Sequence, residues 1–295
     1  MINNAFCLAV SLFVAAAVPP AGEDGDPFWA SVAPKEEARA ALKVMPRTNM
    51  TFVEAELEGA KCTLLVDTGA THTTFDMAFV KRNMPGSELV PVMMMGDTNV
   101  EGAPRFMRVK SMKIGAAEFK DFGAMALDIS HLPSSIGAKV DGILGMSTLA
   151  RVPCLVSLSS QELVFAPGKD RRDGFDRPVM RSLHDPMSIL LPVKIGERTF
   201  EVLVDSGSSM TFLSKDTLWP TVGEASDMAA VDINGRTGLK PQLGEKGVLP
   251  VCHGLEITPL VVPEPMNRIG ADVLARYDML IAGRYIFFRP GNLQL

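Results

Sequence analysis

Short apolar runs separated by turn residues make up most of the hydrophobic pattern of this chain. Residues 52–69 and 189–207 each contain a strand-like run, a turn with glycine, and an apolar run that ends in Asp-Thr-Gly or Asp-Ser-Gly. Alternating polar and apolar positions with many β-branched residues are typical of strands. The pattern therefore predicts two β-hairpins, each of which ends at an aspartate.

A second pair of matching segments closes each half of the chain. Residues 142–151 (GILGMSTLAR) and 267–276 (NRIGADVLAR) both place Leu-Ala-Arg shortly after a glycine, and two predicted strands that end at a proline follow each segment. The repeated aspartates, Asp67 and Asp205, lie 138 residues apart. We interpret this ordered set of landmarks as an internal repeat of two units of about 110–120 residues each.

Shifts in composition predict the domain boundaries. We expect a first unit at 48–168, an exposed linker rich in charge, glycine and proline at 169–186, and a second unit at 187–295. Residues 18–47 are predicted to be a linker or pro-segment, with a strap on the folded body as a third possibility, and the stretch 35–43 favours a short helix. Each unit also contains a further hairpin with a glycine tip, at Gly96 and Gly235, and this pair is expected to be mobile.

The N-terminus carries an apolar run at residues 5–18 that ends in small residues and is followed by two prolines. The run is too short to cross a bilayer and is typical of a signal peptide, which we place at residues 1–17. No Lys or Arg precedes it, and a buried N-terminal strand or helix is the alternative. We expect an exported protein, periplasmic or secreted, with no integral membrane span.

Composition narrows the class of protein. The net charge of −5 gives no sign of a nucleic-acid binder, and 25 glycines with 21 prolines and 6% aromatics favour an all-β fold with short helices. Metal, nucleotide and serine-hydrolase motifs are absent from the sequence, so no cofactor is expected. Three cysteines follow the predicted signal peptide, and they form either one disulfide or a set of buried thiols: Cys62, Cys154 and Cys252.

The two aspartates carry the predicted chemistry. A carboxylate at the end of a buried strand is costly unless hydrogen bonds or a shared proton compensate. Two such acids at equivalent places of a repeat predict that the units pack about a pseudo-twofold axis and bring Asp67 and Asp205 together. Carboxyls about 3 Å apart share one proton, and such a pair can activate water. The alternative is a pair of turns in which each Asp caps the backbone.

These residues resemble the pepsin/retropepsin family of aspartic peptidases. The resemblance rests on LLVDTGAT (64–71) with DGILG (141–145) and on VLVDSGSS (202–209) with RIG (268–270), and it covers about residues 48–168 and 187–291. It implies a bilobal acid-protease fold of two β-barrel-like lobes with the active site between them. It also implies that Asp67 and Asp205 are catalytic.

The resemblance assigns roles to further residues. The hydroxyls of Thr68 and Ser206 are expected to hydrogen-bond across the lobe interface, and the glycines after them are expected to allow close backbone approach. An apolar segment braces each catalytic loop, and the two hairpin tips form flaps over the substrate. The residues with these roles are Gly69 and Gly207 (loop support), Ile143, Leu144, Gly145, Ile269 and Gly270 (brace), and Gly96 and Gly235 (flaps).

Short units with a flap in each favour a single-chain tandem of two retropepsin-like lobes, and so a monomeric active unit. Two positions depart from the family pattern. Arg268 stands where Ile143 stands in the first brace, so that either Arg268 points to solvent or the second loop is braced differently. Ser208 follows the second motif where Ala70 follows the first, and its hydroxyl is expected to stabilise an ionised Asp205 and make it the more acidic partner.

The sequence thus predicts an aspartic endopeptidase that hydrolyses an extended polypeptide. Two alternatives remain: a non-catalytic peptide-binding or scaffold protein that keeps the fold, and a zymogen that is held inactive by residues 23–47.

Overall fold

Strands dominate the chain, as the hydrophobic pattern predicted. The computed structural model describes residues 7–9, 34–92, 103–168, 175, 179–180, 188–224, 228–232, 235–239, 241–249, 254–282 and 285–291. Within these ranges there are 25 strands, and the α-helices have four to seven residues. The prediction of a mainly β protein with short helices is therefore confirmed. None of the described helices is long and apolar enough to span a membrane.

Most elements of the first half belong to one sheet. The elements up to residue 168 are β1 (Cys7–Ala9), β2 (Ala38–Val44), β3 (Thr51–Leu57), β4 (Ala60–Val66), β5 (Thr74–Asp76), α1 (Met77–Asn83), β6 (Leu89–Pro91), β7 (Arg105–Ile114), β8 (Ala117–Leu127), α2 (Leu132–Ile136), β9 (Gly142–Leu144), α3 (Met146–Leu149), β10 (Cys154–Ser157) and β11 (Glu162–Phe165).

The elements of the second half repeat the central part of this order. They are β12 (Val179–Met180), β13 (Leu190–Ile195), β14 (Arg198–Val204), β15 (Phe212–Ser214), a 3₁₀ helix (Lys215–Thr217), β16 (Thr221–Glu224), β17 (Met228–Asp232), β18 (Gly235–Leu239), β19 (Gln242–Gly244), β20 (Gly247–Leu249), β21 (Leu255–Ile257), β22 (Leu260–Val262), β23 (Arg268–Ile269), α4 (Ala271–Leu274), β24 (Tyr277–Ala282) and β25 (Tyr285–Pro290).

Six strands of the first half close into a barrel in the order β3-β4-β9-β5-β8-β7, and β7 returns to β3 through the pairs Glu56↔Lys113 and Leu57↔Met112. The predicted hairpin is β3-β4, and β9 adds to β4 in parallel. Alternate side chains of these strands point inward and are fully buried, among them Leu64 and Phe75. Burial of this apolar face holds the end of β4, and hence Asp67, in place.

The second half has the same central pairings in a more open sheet. Its order is β13-β14-β23-β15-β22-β19-β16, with β14 parallel to β23 and β15 parallel to β22. The described strands of this sheet do not close into a barrel. In the first half β7 has ten residues and reaches back to β3, whereas β19 of the second half has three. Within the described residues, the expected barrel is therefore seen in the first half, while the described strands of the second half form an open sheet.

A shared sheet joins the two halves. The hairpin β10-β11 of the first half pairs with the hairpin β24-β25 of the second, in the register Cys154↔Ile281. A buried carboxylate fixes this junction, because Asp278 accepts hydrogen bonds from the hydroxyls of Ser157 and Ser159 and pairs with Arg289 at 2.9 Å. The junction holds the two aspartate motifs in one folded body.

The prediction of a short helix at residues 35–43 is wrong. Residues 38–44 form β2, which pairs with β11 on one side and with β3 on the other. Ala38, Ala40 and Leu42 are buried while the residues between them are exposed, so the stretch has the period-two pattern of a strand. Pairing with two neighbours outweighs the helical preference of alanine and lysine. The described part of this segment is thus a strap on the folded body.

Several predictions fall on segments outside the described residues. Of the predicted signal peptide only β1 is described, and it pairs in parallel with β17. Most of the predicted linker at 169–186 is also outside, apart from residue 175 and β12, which pairs with β25. Cys62 and Cys154 are buried free thiols, while Cys252 lies outside the described ranges. Export and the domain boundaries stay predictions.

Candidate functional site

The two predicted aspartates follow equivalent strands, and their loops pack against each other. Asp67 comes directly after β4 and Asp205 directly after β14, and both are completely buried. A Cβ placed on Gly207 would lie 2.3 Å from Cγ of Asp67, and one on Gly69 would lie 2.5 Å from Cγ of Asp205. Each carboxyl therefore packs against the glycine of the opposite motif, where no larger residue fits.

Reciprocal hydrogen bonds lock the two aspartate loops together. The hydroxyl of Thr68 donates to the carbonyl oxygen of Val204 at 2.7 Å and accepts from the amide of Ser206 at 3.0 Å. The hydroxyl of Ser206 donates to the carbonyl oxygen of Val66 at 2.9 Å and accepts from the amide of Thr68 at 3.0 Å. All four bonds are buried, so they fix the relative position of the loops.

The first predicted brace lies directly behind the Asp67 loop. The amide of Asp67 donates to the carbonyl oxygen of Leu144 at 3.1 Å, and Ile143 and Leu144 form part of β9 beside β4. Gly145 packs against the next turn, because a Cβ there would lie 2.5 Å from the carbonyl carbon of His72. The loop is thus held both through its backbone and through close contact.

The second brace repeats this arrangement under the Asp205 loop. The amide of Asp205 donates to the carbonyl oxygen of Ile269 at 3.0 Å, and the amide of Ala271 donates to the carbonyl oxygen of Ser208 at 2.7 Å. A Cβ on Gly270 would lie 2.2 Å from the carbonyl oxygen of Met210. The backbone frame under the two carboxyls is therefore nearly the same.

Hydrogen bonding to the Asp67 carboxyl is one-sided. Its Oδ1 accepts from the amides of Gly69 and Ala70, at 2.8 and 3.1 Å. Its Oδ2 is buried and receives no hydrogen bond from any described residue. An unsatisfied buried carboxylate oxygen is costly, whereas a carboxylic acid can donate from that side.

The Asp205 carboxyl has a charged partner instead. Its Oδ1 accepts from the amide of Gly207 at 3.1 Å, and its Oδ2 accepts from Nη1 of Arg268 at 2.9 Å. The Arg268 side chain is 9% exposed, so the arginine points into the protein. The alternative that it points to solvent is therefore wrong. The expectation for Ser208 was wrong in its contact, because that hydroxyl donates to the carbonyl oxygen of Met210 at 2.8 Å.

The electrostatics of the two carboxyls differ accordingly. Burial and the neighbouring charge of Asp205 raise the pKa of Asp67 well above its ordinary value. Burial also raises the pKa of Asp205, but Arg268 and a hydrogen bond with Asp67 act against that rise. The pair therefore retains a proton at a pH where an exposed carboxyl is ionised, and Arg268 beside Asp205 favours the ionised form of that carboxyl.

Two threonines that the sequence analysis missed support the braces. Thr73 accepts at its hydroxyl from the amide of Gly145 at 3.2 Å, and Thr211 accepts in the same way from the amide of Gly270 at 3.0 Å. Thr211 also donates to the partly buried Asp272 at 2.8 Å. Both threonines stand six residues after a motif aspartate, and this shared spacing is the signal that would have identified them.

The predicted flaps are described only in part. Gly96 lies outside the described residues, although the strands β6 and β7 on either side of that segment pair with each other. Gly235 opens β18 and pairs with Asp232, while the tip between them lies outside the described residues. Among the described residues no group of three or more His, Cys, Asp or Glu side chains lies close enough to bind a metal ion.

Comparison with known proteins gives a family match in the first half of the chain. Residues 53–148 match the family model described as aspartyl protease. The match includes Asp67 and the first brace, and it supports an aspartic protease family for this part of the chain. No curated protein sequence matches the chain.

Proposed function

We propose that this protein is an aspartic endopeptidase whose catalytic pair is Asp67 and Asp205. The observation that carries the proposal is the pair of buried carboxyls, each at the end of a strand and each pressed against the glycine of the opposite motif. A protein gains no stability from two buried acids with raised pKa values, and such groups cluster at functional sites. The aspartyl protease match over residues 53–148 supports the same reaction class.

The reaction is general acid–base hydrolysis of a peptide bond. The ionised carboxyl takes a proton from water as the water oxygen attacks the peptide carbonyl carbon, while the protonated carboxyl donates to the carbonyl oxygen. The first carboxyl then gives its proton to the leaving amine as the C–N bond breaks, and the second recovers a proton from the tetrahedral intermediate. Both carboxyls return to their starting state, and neither a nucleophilic side chain nor a cofactor takes part in these steps.

The substrate of this reaction is an extended polypeptide. We place it between the aspartate loops and the two hairpins that carry Gly96 and Gly235. A strand-like substrate can pair its backbone with such hairpins, while its side chains enter pockets that set preference.

Both lobes belong to one chain in this proposal. The repeated hairpin, parallel brace and closing hairpin support a tandem of two retropepsin-like lobes. Each lobe contributes one aspartate, so the active unit is a monomer. The location is outside the cytoplasm, after removal of residues 1–17, and the N-terminal residue of the mature protein found by mass spectrometry tests this.

Cleavage of an unfolded protein from acidic to neutral pH tests the catalytic pair. Asp67→Asn and Asp205→Asn should each abolish cleavage while the fold, followed by circular dichroism, stays intact. Asp216→Asn is the matched control, because Asp216 is an exposed aspartate of the same half as Asp205 and should keep wild-type activity. Activity that survives loss of either motif aspartate would refute the shared-proton mechanism.

An inactive wild type would favour a peptide-binding protein or a zymogen. Residues 38–44 supply a strand that is paired on both sides, so their removal exposes the first core. A deletion test for a zymogen should therefore stop before residue 34. Activity that appears after this shorter deletion would indicate a zymogen.

A further inference from the structure

Arg268 occupies a position where the first half has an apolar residue. In the first brace Ile143 pairs with Leu65 of β4, and in the second Arg268 pairs with Leu203 of β14. The two pairings precede Asp67 and Asp205 by the same two residues. The nearly symmetric backbone therefore places a cation beneath only one of the two carboxyls.

The guanidinium of Arg268 is committed to Asp205. Its Nη1 lies 2.9 Å from Oδ2 of Asp205, and the side chain is 9% exposed. Its Nε is buried and has no hydrogen-bond partner among the described residues. A buried guanidinium with so few partners is strongly destabilising unless a negative charge lies beside it. Asp205 is the charge that the structure provides, so the arginine favours the ionised form of this carboxyl.

Asp67 has the opposite environment. Two backbone amides contact its Oδ1, and no described residue donates to its Oδ2. Within the described part of the chain, the charged groups that act most strongly on Asp205 are Arg268 and Asp67, and the one that acts most strongly on Asp67 is Asp205. Asp272, on the helix after the second brace, is occupied by its hydrogen bond from Thr211.

We propose that Arg268 is a positioning residue that holds Asp205 as the ionised base and leaves the shared proton on Asp67. The inference rests on the proposed function, since it specifies how that same pair divides its two roles. In the attack step Asp205 accepts the proton of water, and the carboxylic acid of Asp67 donates to the carbonyl oxygen. In the collapse step Asp205 donates to the amine, and Asp67 regains its proton, so no further proton source is needed.

A fixed cation also determines where the pair works on the pH scale. Arg268 opposes the gain of a second proton at low pH and favours the loss of the shared proton at higher pH. It therefore lowers both macroscopic pKa values of the pair, and with them both limbs of the activity profile. Removal of its charge should move the acidic limb, which reports Asp205, to higher pH by about 1–3 pH units, the usual effect of one opposite charge at contact distance, and the alkaline limb, which reports Asp67, by less.

Three variants test this inference. Arg268→Met removes the charge and keeps an unbranched side chain, and Arg268→Lys keeps the charge. Arg289→Met is the matched control, because Arg289 also pairs with a buried aspartate, Asp278, at 2.9 Å. Activity against pH is measured for each variant. Arg268→Met should shift both limbs upward, Arg268→Lys should restore the wild-type position, and Arg289→Met should lower stability without moving either limb.

A second measurement does not depend on activity. The side-chain carboxyl carbons of Asp67 and Asp205 can be followed by NMR against pH, with the Asn variants for assignment. The wild type should show an acid signal for Asp67 and a carboxylate signal for Asp205 at intermediate pH, and Arg268→Met should bring the two closer and raise both transitions. Identical titration curves in wild type and Arg268→Met would overturn the inference. An inactive wild type with the expected curves would overturn the proposed function alone.

Discussion

The four hydrogen bonds between the aspartate loops lead to a prediction about stability. Thr68→Val keeps the shape of the side chain and removes its hydroxyl, which is fully buried. The carbonyl oxygen of Val204 and the amide of Ser206 then lose the partners that they have at 2.7 and 3.0 Å. Each buried group without a partner costs about 1–3 kcal/mol, so the free energy of unfolding should fall by about 2–6 kcal/mol.

Two control variants separate the hydroxyl from other effects. Thr68→Ser keeps the hydroxyl and should cost much less than Thr68→Val. Thr63→Val makes the same chemical change on β4, where the hydroxyl of Thr63 bonds the exposed carboxylate of Glu54 at 2.9 Å. Its effect on the free energy of unfolding should stay within about 0.5 kcal/mol. Urea denaturation followed by fluorescence and circular dichroism gives these values, and both signals must report one transition.

A double-mutant cycle with Ser206→Ala then tests whether the four bonds form one network. The hydroxyls of Ser206 and Thr68 connect the same two loops. The losses in the free energy of unfolding caused by the two single variants should therefore not add, and the coupling energy should be about 0.5–3 kcal/mol. Thr68→Val with the stability of Thr63→Val, or fully additive losses, would refute the argument that these bonds hold the two halves together.

Three other predictions concern the site and the core. Asp67→Asn should gain thermal stability relative to wild type as the pH rises. The pKa of Asp67 in the folded protein lies well above its ordinary value of 3.8, so the wild type loses stability as this carboxyl ionises, whereas the variant does not. Melting temperatures of both proteins that change in parallel with pH would contradict this. Gly207→Ala should lower activity by about 100-fold or more, because its Cβ would displace the Asp67 carboxyl, whereas Gly86→Ala, whose Cβ meets nothing within 4 Å, should retain activity in the same assay. Cys62 and Cys154 should resist alkylation in the folded protein and react after unfolding, because burial raises the pKa of both thiols, that of Cys62 to about 12; rapid labelling of the native protein, seen by mass spectrometry, would show that they are accessible.

The sequence predicted those parts of the fold that local pattern controls. Alternation and glycine turns predicted the hairpins β3-β4 and β13-β14, since a strand with one buried face must alternate. The strand β2 was missed because alanine and lysine favour helix locally, and only the neighbouring strands make the extended form favourable. The local pattern also does not tell that the described strands of the second sheet stay open, because closure depends on how far one strand reaches past its neighbours.

In the candidate site, too, the local sequence predicted where residues lie along the strands, but not the contacts that depend on the folded structure. The motifs placed Asp67 and Asp205 at strand ends, and the repeat predicted that they would meet. The contact of Arg268 with Asp205 could not be predicted, because a strand position fixes which face a side chain occupies only once the sheet and its partner are known. The prediction for the Ser208 hydroxyl was wrong because this group donates to a backbone acceptor in its own turn, the carbonyl oxygen of Met210.

The position of Arg268 also suggests an advantage of two non-identical halves in one chain for the proposed acid–base hydrolysis. A protease assembled from two identical chains would carry the same brace beneath both aspartates, and an arginine there would favour ionisation of both carboxyls at once. Hydrolysis needs one base and one acid. Here the brace holds isoleucine at 143 and arginine at 268, while the backbone hydrogen bonds to the two loops are nearly the same. One chain can therefore give two equivalent carboxyls different protonation states through a single side chain that lies behind the loop and leaves the substrate side of the site unchanged.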